Sequence, residues 1–165
     1  MGVFDPNSER SVKGLEFQQK IFDELKSLDG ISELEMVWDL FNRLDPGLSN
    51  YDYACYEKQF GDITFMKDGK RYWVECCFIM ATHETKFHDL KRQNFKGPNK
   101  WYCFGKMHHP EQPPYFIPSK SWNAYTKKCD LKTFGHSKYR MINVDLIGDN
   151  IKVAVATTDK FFDKL

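Results

Sequence analysis

The sequence has no long apolar run and no recognisable export signal. No uninterrupted apolar segment approaches the roughly eighteen residues that a transmembrane helix needs. The first six residues carry neither the basic nor the apolar region of a secretory signal peptide. Five cysteines, an odd number with two of them adjacent, do not match a disulfide framework. We therefore expect a cytoplasmic protein in a reducing setting, with no membrane partner.

Internal repeats and low-complexity tracts are also absent from the sequence. Of the 165 residues, 41% are hydrophobic and 28% are charged, as in an ordinary globular protein. This length suits one domain that is large enough to bury a core. We expect a single domain over residues 1–165.

The net charge of +1 hides an uneven distribution along the chain. Residues 1–60 hold six Lys and Arg against twelve Asp and Glu, whereas residues 81–140 hold twelve against four. The basic segment also contains eleven of the 26 aromatic residues, and this mixture suits phosphate contacts and base stacking. The segment therefore predicts a face that binds a polyanion. The expected phosphate contacts are Lys96, Lys100, Lys120, Lys127, Lys128, Lys132 and Lys138.

Two carboxylates are embedded in a predicted β-hairpin. Asp68-Gly69 separates two apolar runs, and this dipeptide favours the positive φ of a tight hairpin turn. Counted outward from the turn, Asp62 and Glu75 fall near the same rung. A buried carboxylate needs a cation, a donor or a proton, and two on adjacent strands can share one hard divalent metal. We expect this hairpin to carry the chemistry.

The spacing of these residues resembles the core of the PD-(D/E)xK nuclease superfamily. In that motif an Asp on one strand is followed by Glu-x-Lys on the next. Here Asp62 is followed, after twelve residues, by Glu75-Cys76-Cys77. Residues 13–19 also resemble the opening helix of resolvase-like and Mrr-like members. The resemblance extends over residues 11–105.

The resemblance implies a divalent-metal-dependent DNA endonuclease. Asp62 and Glu75, with the backbone carbonyl of Cys76, would hold Mg²⁺ or Mn²⁺. The metal would polarise the scissile phosphate and lower the pKa of the attacking water. DNA is the expected partner, while RNA and a homodimeric state stay open.

The motif lysine is replaced by Cys77, and a thiol cannot give the transition state a positive charge. Alternation along the strand puts Cys77 on the same face as Glu75. Lys70, Lys86 and Lys91 are within reach from the turn or from the next predicted helix. We expect Lys86 to act, from the first turn of that helix.

Two other functions stay open. A catalytically inactive nucleic-acid-binding module on the same fold would explain the missing lysine. A cysteine-dependent enzyme, with Cys77 as its reactive thiol and a histidine as base, is less favoured because free cysteine is usually buried and inert. Structural zinc is not expected, since the cysteines and histidines lack paired close spacings.

Three further polar residues are candidates for the site. Glu16 resembles the helix glutamate that assists metal binding in some members of the superfamily, although the helical wheel places it opposite the apolar arc. Gln18 lies within that arc. Gln93 follows the basic residues of the helix that the sequence predicts over residues 82–95.

The remaining pattern predicts an α/β domain with a mixed central sheet flanked by helices, and the resemblance implies that it is restriction-endonuclease-like. The predicted elements are helices over residues 9–29, 32–44, 82–95 and 121–128, strands over 51–56 and 101–104, a loop over 105–121, and a closing hairpin that joins 142–146 to 151–155 through Gly148-Asp149-Asn150.

Overall fold

The computed structural model describes residues 8–148 and 151–165 as a mixed α/β fold. Within these ranges no helix has the length and apolar character that crossing a membrane requires. In chain order the elements are α1 (Glu9–Lys26), β1 (Ser32–Met36), α2 (Val37–Leu44), α3 (Asn50–Phe60), β2 (Ile63–Lys67), β3 (Lys70–Ile79), β4 (Glu84–His88), α4 (Asp89–Asn94), β5 (Lys100–Lys106), β6 (Tyr115–Pro118), α5 (Ser119–Thr126), β7 (Leu131–Phe134), β8 (Ser137–Asn143), a 3₁₀ turn (Val144–Leu146), β9 (Val155–Ala156) and α6 (Thr158–Lys164).

A six-stranded mixed sheet lies at the centre, in the order β1-β2-β3-β5-β6-β9. Strands β1, β2 and β3 pair antiparallel, β3 runs parallel to β5, and β6 pairs antiparallel with β5 and β9. A second sheet has the order β4-β8-β7. The predicted strand over residues 101–104 lies within β5.

The central sheet is covered on both faces. One face packs against α1 and α6, where Ile21, Leu25 and Phe161 are completely buried. The other packs against α5 and the second sheet around the buried rings of Tyr102 and Trp122. The predicted fold class, a mixed central sheet flanked by helices, is therefore confirmed.

Strands β2 and β3 form the predicted hairpin. Asp68 and Gly69 both have positive φ, 51° and 77°, as a tight turn with right-handed twist requires. Ile63 pairs with Val74 across the hairpin. The two predicted carboxylates each lie one position beyond this pair, so the register places them opposite one another.

The helix predicted over residues 32–44 is wrong in its first part, because Ser32–Met36 form strand β1. Met36 pairs with Ile63, and α2 begins only at Val37. Leu34 and Met36 pack against the core around α1. The apolar residues therefore follow a period of two before the helical period begins.

The strand predicted over residues 51–56 is also wrong, because this segment belongs to α3. Ser49 caps the helix, and its hydroxyl accepts a hydrogen bond from a backbone amide of the first turn. Tyr56 and Phe60, four residues apart, both contact Phe41 of α2. Packing at helical spacing and the cap outweigh the preference of aromatic residues for strands.

The helix predicted over residues 82–95 is strand β4 followed by the short helix α4. Strand β4 pairs with β8, and Lys86 lies opposite Met141. The Phe87 side chain is buried in the core around Tyr102 and Trp122. Lys86 therefore does not occupy the first turn of a helix, which corrects the geometry expected from the sequence.

The predicted loop and closing hairpin also differ from the structure. The loop over residues 105–121 contains β6 and the start of α5. The hairpin does not form, because β8 pairs with β4 and β7, whereas β9 pairs with β6. Asp149 and Asn150 of its predicted turn lie outside the described residues. Alternation of apolar residues specifies a strand and its buried face, but it does not specify the partner strand.

Candidate active site

The end of α3 and the hairpin bring Asp62 and Glu75 together. Gly61 ends α3 with a φ of 76°, and a Cβ there would lie 2.8 Å from the Val74 carbonyl oxygen. Only glycine allows so close an approach. The Asp62 amide donates to Val74 O at 2.8 Å, and the Cys76 amide donates to Asp62 Oδ2 at 2.8 Å. The backbone of β3 therefore fixes the Asp62 carboxylate beside Glu75.

A third carboxylate, Glu57, completes this group. It lies one turn before the end of α3 and is half-buried. Carboxylate oxygens of Glu57, Asp62 and Glu75 all lie within 4.8 Å of one another. The sequence analysis missed Glu57 because it predicted a strand in this region. A helical prediction would have placed it one turn before Gly61, next to Asp62.

Burial governs the charge of this carboxylate cluster (Glu57, Asp62 and Glu75). Asp62 is 8% exposed and Glu75 is 2% exposed. Loss of hydration raises the pKa of Asp62 well above its ordinary value, and the negative charges of Glu75 and Glu57 raise it further. Burial also raises the pKa of Glu75, although the positive charge of Lys91 opposes this shift. The negative charges of the three carboxylates are therefore only partly compensated by the one nearby ammonium group, that of Lys91.

Lys91 is the cation that reaches the cluster. Its Nζ lies 2.7 Å from Glu75 Oε1, and the Lys91 side chain is 28% exposed. Burial alone would lower the pKa of Lys91, but the Glu75 charge and hydrogen bond raise it well above its ordinary value. The ammonium therefore stays charged at neutral pH.

The second oxygen of Glu75 has no such partner. Glu75 Oε2 is buried and forms no hydrogen bond with any described residue. An orphaned, charged oxygen in a protein interior is costly. Together with the nearby oxygens of Asp62 and Glu57, it forms a set that a hard divalent cation would fit.

Cys76 and Cys77 lie on opposite faces of β3, as predicted. Cys76 packs with the core around α1, and Cys77 packs with the core around Trp122. Burial raises the pKa of the Cys77 thiol far above its ordinary value. A thiol that keeps its proton is a weak nucleophile, which weighs against cysteine-dependent chemistry.

Lys86 lies on the second sheet and engages aromatic rings. Its Nζ is 3.7 Å from the centroid of the Phe134 ring and 6.0 Å from that of Tyr139. Lys91, which the sequence offered as an alternative, makes the bond to Glu75 instead.

The other polar candidates have partners outside the carboxylate cluster. Glu16 is exposed and lies 3.8 Å from Lys13. Gln18 Nε2 lies 3.8 Å from the Met36 sulfur. Gln93 Nε2 donates to Asp89 Oδ2 at 2.9 Å.

Asp89 anchors the helix that carries Lys91. It is buried at the start of α4, and its Oδ1 accepts from Arg92 Nε and from Arg140 Nε, each at 2.9 Å. Burial alone would raise the pKa of Asp89, but these bonds and that from Gln93 lower it to about 2. Arg140 also donates to carbonyl groups that follow α5. Asp89 therefore ties α4 to β8 and α5.

A basic cavity of about 1060 Å³ lies between α4 and α5. No Asp or Glu is among the described residues that line it. Lys100 also donates to the Gln59 carbonyl at the end of α3, and burial lowers the pKa of Lys100. Of the seven predicted phosphate contacts, Lys128, Lys132 and Lys138 lie outside this lining. The cationic residues that line the basic cavity are Arg92, Lys96, Lys100, Lys120 and Lys127.

Comparison with known proteins gives no match to a family model and no match among curated proteins. Among solved structures, the chain is similar to Hjc, a Holliday junction resolvase from the archaeal hyperthermophile Archaeoglobus fulgidus. The sequences are 8% identical, the match covers 89% of this chain and 93% of that chain, and the TM-score is 0.46. The geometry of the site is therefore the basis for assigning a function.

Proposed function

We propose that this protein is a divalent-metal-dependent endonuclease that hydrolyses phosphodiester bonds in DNA, on a restriction-endonuclease-like fold. The convergence of Glu57, Asp62 and Glu75 within 4.8 Å carries the proposal. Carboxylates held this close repel one another unless a cation or proton lies between them. The orphaned Glu75 Oε2 supports the same conclusion, because a cation would supply its missing partner.

The three carboxylates would hold Mg²⁺ or Mn²⁺, with the Cys76 carbonyl as a further proposed ligand. Hard divalent cations prefer oxygen ligands of this kind. When bound, the metal would polarise the scissile phosphate and lower the pKa of a water molecule. Glu57 enlarges the ligand set beyond the two carboxylates of the sequence motif.

Lys91 takes the role of the missing motif lysine in this proposal. Its ammonium is held against Glu75 at 2.7 Å, and its raised pKa keeps it charged. A positive charge fixed beside the metal ligands can stabilise the negative charge that develops on the phosphate oxygens. The lysine has thus moved from the strand to α4, while Cys77 occupies its place on β3.

The basic cavity supports DNA as the substrate. Five cationic side chains line it, no Asp or Glu is among the described lining residues, and only Arg92 of the five is paired with a carboxylate of this part of the fold, Asp89; the excess of positive charge favours a polyanion. Arg92 lies in this lining, and the preceding residue, Lys91, reaches the carboxylate cluster. Lys100 of the same lining donates to the Gln59 carbonyl at the end of α3, the helix that carries Glu57, and we propose that the bound backbone extends from the cavity toward the carboxylates. Phosphate contacts of this kind are independent of base sequence.

Incubation of supercoiled plasmid with Mg²⁺ or Mn²⁺ tests the proposal. We expect nicked or linear DNA with the wild-type protein, and none with EDTA or with Asp62→Asn. DNA binding without any cleavage would support the inactive binding module instead. An activity that persists in EDTA and disappears in Cys77→Ser would support the cysteine-dependent enzyme.

A further inference from the structure

The second sheet turns one face toward the protein core and the other toward solvent. Phe87 on β4 and Ile142 on β8 are buried on the inner face. Side chains alternate along a strand, so the residues next to these two point away from the core. Every residue of β7, at the edge of this sheet, is exposed. We call the side that points away from the core the outer face of the second sheet.

A row of three aromatic rings crosses the outer face, with one ring from each strand. His88 of β4 pairs with Tyr139 of β8, and their ring centroids are 5.0 Å apart. The Tyr139 ring in turn lies next to that of Phe134 on β7, with centroids 5.8 Å apart. Phe134 is 40% exposed and the other two residues are half-buried, so each of them is accessible to solvent. A molecule outside the protein can therefore contact this ring row (His88, Tyr139 and Phe134).

Two lysines flank the ring row. Lys86 and Lys132 are both exposed, and Lys132 lies directly opposite Tyr139. Lys86 Nζ is 3.7 Å from the centroid of the ring on β7, so its charge is held beside the row. Alternation along the three strands places one acidic residue on the outer face, Glu84, at the end of β4 that is farther from the rings. The ring row therefore combines flat apolar surfaces with an excess of positive charge.

The His88 end of the ring row lies next to the helix that carries Lys91. His88 immediately precedes α4, and its Nδ1 accepts a hydrogen bond from the Leu90 amide at 3.2 Å. A cavity of about 370 Å³ is lined by His88 and Tyr139 and also by Lys91, which bonds Glu75. The outer face of the second sheet therefore adjoins the proposed site of cleavage.

We propose that the outer face binds a single-stranded segment of the DNA substrate, with bases stacked on the ring row and the backbone beside Lys132. This inference rests on the proposed nuclease function and specifies its substrate class: duplex DNA with an adjoining single strand. Sheet faces that carry aromatic side chains stack unpaired bases in this way, and neighbouring cations follow the phosphates. The bases of a duplex stack on one another instead, so fully paired DNA does not use the ring row.

Binding measured by fluorescence anisotropy in EDTA tests the inference without cleavage. Two labelled DNAs share the same duplex: one carries a short oligothymidine tail, and the other carries an abasic tail of equal length. The two tails have the same number of phosphates, so a difference in affinity reports contacts to the bases. The wild-type protein should bind the oligothymidine tail roughly tenfold more tightly than the abasic tail, as expected for one stacked base.

Phe134→Leu should bring the two affinities close to each other, because it removes the most exposed ring of the row and keeps an apolar side chain. Phe134→Tyr keeps a ring at the same position and should keep the preference. Tyr51→Leu is the matched control, since it removes an aromatic ring from a residue of α3 that is 78% exposed and lies outside the outer face. Melting curves verify that each variant is folded.

Equal affinity of the wild-type protein for the two tails would overturn the inference. A preference that persists in folded Phe134→Leu, or that Tyr51→Leu loses to the same extent, would do the same. These outcomes are separate from plasmid cleavage: cleavage with equal affinity for the two tails overturns this inference alone. A preference that depends on Phe134, without any cleavage, would instead overturn the nuclease and leave a surface that binds single-stranded DNA.

Discussion

Lys91 Nζ lies 2.7 Å from Glu75 Oε1, so a lysine of α4 pairs with a carboxylate of β3, the strand on which Cys77 stands two residues after Glu75. Asp89 in the first turn of the same helix is bonded to Arg92 and Arg140. The helix is therefore fixed at its start, and the lysine reaches the site from a rigid support. A cation held in this way is suited to stabilising charge in a transition state.

Replacing Lys91 by Met should lower the rate of plasmid cleavage by about a hundredfold or more. The reason is that the variant lacks one fixed cation for the developing phosphate charge. Met keeps much of the packing of the aliphatic chain. Single-turnover cleavage at saturating Mg²⁺ measures the effect. Lys70→Met, an exposed lysine of the hairpin strand, is the matched control and should cleave at the wild-type rate.

Lys86→Met separates the role of Lys91 from the role that the sequence predicts for Lys86. A large decrease in cleavage by Lys86→Met, with none in Lys91→Met, would contradict the assignment of Lys91. The reverse result would show that the lysine has moved to α4 rather than to β4.

The Asp62–Glu75 pair could be predicted from sequence because a two-residue turn fixes its register. The third carboxylate and the lysine could not. Glu57 becomes adjacent only because residues 50–60 are helical, and their aromatic composition also suits a strand. Lys91 depends on where β4 ends and α4 begins, which is set by pairing with the distant strand β8. Such long-range partners leave no periodic signal in the segment itself.

Glu57→Gln tests whether the residue missed by sequence takes part in metal binding. Removal of one ligand charge should raise the Mg²⁺ concentration for half-maximal cleavage by about tenfold, equivalent to about 1.4 kcal/mol. The Mg²⁺-induced rise in melting temperature should shrink in parallel, by ligand linkage. Glu111→Gln, an exposed carboxylate outside the cluster, is the control. An unchanged Mg²⁺ dependence would remove Glu57 from the ligand set.

Asp62→Asn should stabilise the protein at neutral pH when no metal is present. The folded-state pKa of Asp62 is raised, so the unfolded chain releases its proton first as pH rises. Stability is therefore full below the ordinary pKa, about 4, and falls as pH rises through the folded-state value. The variant should not show this decrease, and its melting temperature should exceed that of wild type in EDTA at pH 7.

Mg²⁺ should reverse the order of the two melting temperatures, so that wild type melts above Asp62→Asn. Metal binding requires the charged carboxylate, so wild type should gain stability with Mg²⁺ and gain more at higher pH, whereas Asp62→Asn should not. Asp68→Asn, in the turn of the same hairpin, is the matched control and should behave like wild type. Equal melting curves for wild type and Asp62→Asn at every pH would contradict the raised pKa.

Asp89→Asn should lower the free energy of unfolding at pH 7 by about 2 kcal/mol, because the neutral amide loses the charge-assisted bonds to two arginines and its nitrogen cannot accept the bond from Gln93. The pKa of Asp89 falls from its ordinary 3.8 to about 2 in the folded protein. The stabilisation that ionised Asp89 gives is therefore present at pH values above its ordinary pKa, and it is lost as pH falls through the folded-state pKa. The difference between wild type and variant, measured by urea unfolding, should disappear over this acid range. Asp130→Asn, an exposed residue, is the control.

Charge reversal in the basic cavity should weaken DNA binding without regard to sequence. Lys120→Glu with Lys127→Glu places two negative charges in a lining that has none. The affinity for unrelated duplexes should fall by similar factors. The slope of log affinity against log salt should decrease by about 2, because each phosphate that is no longer neutralised accounts for roughly 0.9. Anisotropy titrations in EDTA at several salt concentrations measure both quantities. Lys152→Glu with Lys160→Glu makes the same change in net charge outside the cavity and should leave the slope nearly unchanged. If both double variants weaken binding equally, overall charge governs binding, and the basic cavity is not the path of the DNA backbone.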